Sequence, residues 1–104
     1  MSYRFHPAAA GEHLESVAFY ESRLAGLGGD YMTEFEATMA RVCARPSSCP
    51  IDCPPDIRIA RLKRFPYSGL YRQRDARIEV LAVAHQRRRP GYWLPCVLRD
   101  ESVE

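Results

Sequence analysis

The sequence predicts an α+β fold of order β-α-α-β-β-β, in which a helical hairpin packs on one face of a small, antiparallel-rich sheet. Three observations carry this. Apolar residues recur at helical spacing between Pro7 and Ala44, whereas from Ile57 to His85 the spacing drops to two or to short unbroken runs. A proline-rich stretch at 46–56 separates the two regimes. At 104 residues the chain builds one core, so a single domain spanning 1–104 is expected.

A short apolar-aromatic segment, Tyr3 to Phe5, stands as an edge strand before His6-Pro7, and proline suits the first turn of a helix because its missing N–H has no intrahelical partner there. The first helix runs from Pro7 to about Leu24, with Ala10, Leu14, Val17, Glu21 and Leu24 expected on its inward stripe and Glu21 as the polar intruder. Gly26, Gly28 and Gly29 break it. A second helix starts at Gly28 or Asp30 and ends at Ala44 before Pro46, burying Tyr31, Phe35, Thr38, Met39 and Val42, with Asp30 complementing its positive end. The short connection makes the pair antiparallel.

Residues 46–56 hold Pro46, Pro50, Pro54 and Pro55 and are read as a stiff exposed loop without regular structure. Strands follow at Ile57 to Lys63, Tyr67 to Arg74 and Arg77 to His85, the last two joined by a tight turn at Asp75-Ala76. The run Val80-Leu81-Ala82-Val83-Ala84 has no polar member, which marks a strand covered on both faces.

Composition narrows the classes of function. Apolar residues at 46% and charged residues at 27% describe a folded soluble chain and exclude a disordered tail. No run of about 18 apolar residues exists, which excludes a membrane-spanning helix, and Met1 to Pro7 lacks the apolar core of a secretory signal, so the cytoplasm is the expected compartment. The net charge is only +2, but its distribution is uneven. Arg58, Arg61, Lys63, Arg64, Arg72, Arg74, Arg77, Arg87, Arg88 and Arg89 are opposed only by Asp75 and Glu79 over the same span. Such a half suits contact with a nucleic acid or an acidic protein. Cys43, Cys49, Cys53 and Cys96 lack the close pairing that zinc needs, and the histidines are scattered, so no metal or other cofactor is expected. Free thiols are the default, with a disulfide inside the Cys43 to Cys53 stretch as the alternative.

Four local signatures, in this order, resemble the RelE/ParE superfamily of type II toxin–antitoxin systems, and its ParE-like, plasmid-stabilisation branch in particular. They are Phe5-His6-Pro7-Ala8-Ala9 with Ala18-Phe19-Tyr20-Glu21; Gly26-Leu27-Gly28 with Phe35; Arg64-Phe65-Pro66-Tyr67 with Tyr71-Arg72; and Val80 to Arg88 with Pro90 and Trp93. The match covers roughly residues 4 to 93. The resemblance implies a growth-inhibiting toxin neutralised by a cognate antitoxin, itself folding on binding, with operator DNA contacted only through that antitoxin. ParE-like proteins are described as DNA gyrase inhibitors without catalytic residues of their own; RelE-like ones cleave mRNA on the ribosome without a metal. A relative that binds antitoxin without being toxic is the third reading.

For a nuclease, the candidates in this chain are Lys63 (the sole lysine), Arg87 and the aromatic Trp93. That set is incomplete: the arginine that the RelE arm has after this tyrosine is replaced here by Ser68, and arginine is a poor general base because it stays protonated. For binding an antitoxin or target, the candidates are Arg61, Arg64, Arg72, His85, Arg87 and Arg88. Tyr67 and Tyr71, alternating on one strand face, are read as core, and His85 as a hydrogen-bonding residue at a strand end. Trp93 either seals a core edge or sits in an interface.

Overall fold

The computed structural model describes residues 1–95, 97 and 98. Its elements are β1 (Ser2–Phe5), α1 (Pro7–Arg23), α2 (Leu27–Ala44), β2 (Ile51–Cys53), β3 (Ile57–Arg61), β4 (Tyr67–Arg74) and β5 (Arg77–His85). They form the expected two-layer α+β fold. The five strands make one sheet in the order β1-β5-β4-β3-β2, antiparallel except where β1 runs parallel to β5. No described helix is long and apolar enough to cross a membrane.

The strand β2 corrects the reading of 46–56 as wholly irregular. Proline removes a ladder donor only if its N–H would face a neighbour, so Pro50 and Pro54 are compatible with a three-residue strand at the sheet's edge. The strand ending at Lys63 also stops early: β3 closes at Arg61, and Lys63 and Arg64 lie in the bend before β4.

The helix α2 buries Tyr31, Phe35, Thr38, Met39 and Val42, the stripe its spacing predicts. The inward face of α1 differs from expectation. Ala9 and Ser16 are buried with Val17 and Tyr20 packed beside them, while Leu14 and Leu24 are 67% and 64% exposed. Alanines on several sides of α1 leave its periodicity indecisive, and Ser16 tolerates burial because its hydroxyl donates to the Glu12 carbonyl at 2.9 Å. Glu21, the intruder, has a defined task. Its carboxylate accepts from the backbone N–H groups of Gly26 and Gly28 at 3.0–3.1 Å, capping the positive start of α2. Gly26 turns the chain at a φ of 90°, a left-handed conformation that suits glycine.

The central strands cover both faces by a shift of phase. Leu70 pairs with Ala82 and Tyr71 with Val80, so Leu81 is an extra, unpaired residue. This bulge turns Leu81 and Ala82 to one side, whereas Val80 and Val83 face the helices. Tyr67 and Tyr71 both lie on the helix side, and the Tyr71 hydroxyl donates to the Pro46 carbonyl at 2.7 Å. On the other face Ile57, Leu70, Leu81 and Ala82 form a second core, closed by Trp93 and Val97. Trp93 therefore seals the core rather than standing at a surface, with 5% exposure.

The helices pack tightly at Gly28, where an added Cβ would lie 2.7 Å from the Val17 carbonyl oxygen. That neighbour is backbone and cannot rotate away. Gly28→Ala is expected to destabilise the fold by about 1–3 kcal/mol, the usual range for overpacking, measured as a lower midpoint in urea unfolding with an unchanged slope.

Candidate functional site

The basic residues do not form one continuous surface. Two of the candidates are committed to structure. Arg64 sits in the bend after β3, where Glu34 of α2 collects three donors: Lys63 N–H at 2.7 Å, Arg64 N–H at 2.9 Å and Arg64 Nε at 2.9 Å. Burial acts to raise the Glu34 pKa, but the backbone and guanidinium hydrogen bonds of Arg64 and the Lys63 N–H outweigh it and hold the carboxyl below its ordinary value of 4.5. Arg72 lies across the sheet from Glu79, with Nε at 3.3 Å from the carboxylate, and Arg4 reaches the same carboxylate at 3.8 Å.

Three other candidates converge. Arg61 at the end of β3, His85 at the end of β5 and Arg88 in the following turn line a cleft of about 180 Å³ on the sheet face opposite the helices, with Arg89, Ser68 and Asp52 also on its wall. The turn that carries Arg88 and Arg89 is closed by Gly91, at a φ of 75°, and anchored by Trp93 in the second core. Lys63 and Arg87 do not line this cleft, whereas Trp93 does, with 5% of its surface exposed. Of the trio Lys63, Arg87 and Trp93, the cleft thus holds Trp93 alone among the described residues.

His85 is held edge-on to Tyr67, ring centres 5.0 Å apart, and its Nδ1 accepts the Arg87 N–H at 3.0 Å. An accepting Nδ1 leaves the neutral ring's proton on Nε2, so His85 offers the cleft a donor and not a base. The guanidiniums are donors as well, and among the described residues Asp52 is the only carboxylate on the wall. Hydrogen-bond donors and positive charge of this kind suit the recognition of an anionic or carboxylate-bearing surface.

One residue that sequence reasoning overlooked ties this turn to the fold. Glu12 of α1 accepts the Val83 N–H at 2.9 Å through Oε1 and the Tyr92 hydroxyl through Oε2. The first bond has a topological cause. The β1 ladder ends where His6 N–H reaches the Val80 carbonyl, the chain then turns into α1, and Val83 further along β5 needs another acceptor. Burial, reinforced by the Glu12 carboxylate, raises the Tyr92 pKa far above its ordinary value, keeping the phenol a donor. The Arg88 guanidinium stacks 3.9 Å above the Tyr92 ring centre. No local signal marks Glu12, whose partners lie 71 and 80 residues away.

Cys43, Cys49 and Cys53 are free thiols, and Cys96 lies outside the described residues, as does the tail from residue 99. Among the described residues no group of three or more histidine, cysteine or acidic side chains is placed to hold a metal ion.

No protein-family model matches the sequence, and no curated protein matches it. A solved structure does. A chain of the structure described as "Chromosomal ParDE TA system from P. aeruginosa" superposes with a TM-score of 0.67 over 82% of this chain and 95% of its own, at 16% identity. The two chains share a fold. It is the fold that the RelE/ParE resemblance implied, reached here with little residue identity to support it.

The Glu34 clamp gives a pH signature. Because the folded carboxyl titrates below its ordinary value, its contribution is complete above pH 4.5 and is lost as the pH falls through the folded value. Glu34→Gln, which keeps the shape and loses the charge, is expected to lower unfolding free energy by about 1 kcal/mol at neutral pH. The gap between variant and parent should close in acid, as read by urea titrations from pH 7 down to about pH 3.

Proposed function

We propose that this protein is the toxin of a type II toxin–antitoxin pair, and that it acts by binding a protein target rather than by cleaving RNA. The observation that carries the proposal is the chemistry of the cleft. Arg61, His85 and Arg88 bring hydrogen-bond donors to one cleft, while Lys63 and Arg87, two of the three groups a nuclease of this kind would use, do not line it. The fold shared with a chain of the ParDE structure supports the assignment to a toxin–antitoxin system. In the ParE-like reading the target is DNA gyrase, a cognate antitoxin masks the toxin, and the protein works in the cytoplasm. Arg61, Arg88 and His85 are its binding residues, with Arg87 beside them in the turn.

Expression of the chain alone is expected to arrest growth, and the purified protein to inhibit gyrase supercoiling of a relaxed plasmid. Arg88→Glu should weaken that inhibition about tenfold or more, because it reverses a charge stacked at the cleft wall. The proposal fails if supercoiling is untouched while the protein cuts ribosome-bound mRNA. If cells grow normally without any partner, the non-toxic, antitoxin-binding reading replaces it.

A further inference from the structure

The segment after β5 is a wall with open space on both sides. In front of it lies the cleft of about 180 Å³. Behind it, toward α1, lies a second hollow of about 360 Å³, and His85, Arg88 and Tyr92 line both. Such a wall gains less from packing than a segment filled on both sides, so its ties decide where its side chains stand. Among the described residues those ties are nearly all local. Arg87 and Arg88 donate to His85, Tyr92 N–H donates to Arg89, and Gly91 accepts from Leu94. Trp93, buried in the second core, fixes the far end. Between His85 and Trp93, the one hydrogen bond that leaves the segment is the Tyr92 hydroxyl to Glu12.

Glu12 is well suited to be that tie. Its Oε1 accepts the Val83 N–H of β5 at 2.9 Å, so the carboxylate is pinned to the strand and its second oxygen has a set place. The Tyr92 hydroxyl donates to that oxygen, which holds the ring at its tip as well as at its root. On this ring lies the Arg88 guanidinium, 3.9 Å from the centre. A stacked guanidinium gives up its face and keeps its in-plane N–H edge, the edge that matches both oxygens of a carboxylate. Among the described residues no carboxylate lies within ion-pairing distance of Arg88, so that edge is unspent. Strand β5, Glu12, Tyr92 and Arg88 thus form one chain of contacts that ends at the cleft.

We infer that Glu12 and Tyr92 are positioning residues of the cleft. The bond between them sets the plane of the Arg88 guanidinium, so that the cleft takes a carboxylate side chain of the protein target edge-on, through both oxygens. The inference rests on the reading above that the cleft binds a protein target. It adds the chemical group that Arg88 recognises, and it places control of that recognition on α1, at a residue that does not line the cleft. Charge at position 88 is then not enough: the guanidinium has to be presented in one plane.

Two measurements on the full chain test it, with circular dichroism to confirm that each variant is folded. The first is the NMR signal of the Arg88 Nε–H, identified by its loss in Arg88→Ala. The ring beneath it should displace it from the signals of exposed arginines. Tyr92→Phe keeps the ring and loses the tie, and should move the signal back toward them. Glu12→Ala should do the same, and the two changes together should move it no further. The second is inhibition of gyrase supercoiling. Tyr92→Phe should weaken it about three- to tenfold, the worth of one hydrogen bond. In an Arg88→Ala background the same change should cost less than about twofold, whereas in an Arg61→Ala background it should cost its full factor. Arg88→Lys, which keeps the charge without the planar fork, should weaken inhibition nearly as much as Arg88→Ala. The inference is overturned if Tyr92→Phe leaves the Arg88 signal where it is in the parent. It is also overturned if Tyr92→Phe costs the same factor with and without Arg88, as a general loss of stability would, or if Arg88→Lys inhibits as the parent does. The two readings separate cleanly. An Arg88 signal that responds as stated in a chain that leaves gyrase alone would remove the target and keep the positioning, and gyrase inhibition with an unresponsive signal would do the reverse.

Discussion

A small sheet with apolar residues on both faces cannot be covered by one pair of helices, and most of this structure follows from that constraint. The helical hairpin takes one face, through Tyr31, Phe35, Met39 and Val42. The opposite face, built from Ile57, Leu70, Leu81 and Ala82, must be kept from water by something else. Trp93 and Val97, carried on the segment after β5, do so. The bulge at Leu81 is what gives the second face two adjacent apolar residues from a single strand.

Covering the second face positions the candidate site. To bring Trp93 back over the sheet the chain must turn sharply after His85, and the turn holds Arg87, Arg88 and Arg89. Glu12 anchors it through Tyr92 while satisfying a strand N–H that β1 cannot reach. The cationic cleft is therefore a by-product of core closure. Its side chains offer mainly donors, since the His85 Nδ1 already accepts a backbone N–H and the arginines cannot act as bases.

Charge is divided in the same way between structure and recognition. Glu34, Glu79 and Glu21 each neutralise donors that hold the fold: the bend after β3, the β4–β5 pair with β1, and the start of α2. Three of the arginines with no carboxylate within ion-pairing distance among the described residues, Arg41, Arg45 and Arg61, collect at the end of α2 and β3. The basic half of the sequence is thus less a uniform nucleic-acid surface than a set of structural clamps with two open patches between them.

The sequence by itself determined the order of elements apart from β2, the helical hairpin, the inward stripe of α2 and the tyrosine face of β4, because each depends on spacing within one element. It also made legible that the core strand 80–84 is covered twice. Tertiary structure alone decided which side of α1 is buried, that three residues between prolines form an edge strand, and that Lys63 and Arg64 leave the strand for Glu34. It also decided the cleft, which unites Arg61 with Arg88 but leaves Lys63 and Arg87 outside. The reason is one of range. Periodicity reports on neighbours three or four residues apart, whereas Glu34 meets its donors across 29 and 30 residues and Glu12 across 71 and 80, distances at which only the folded chain selects a partner.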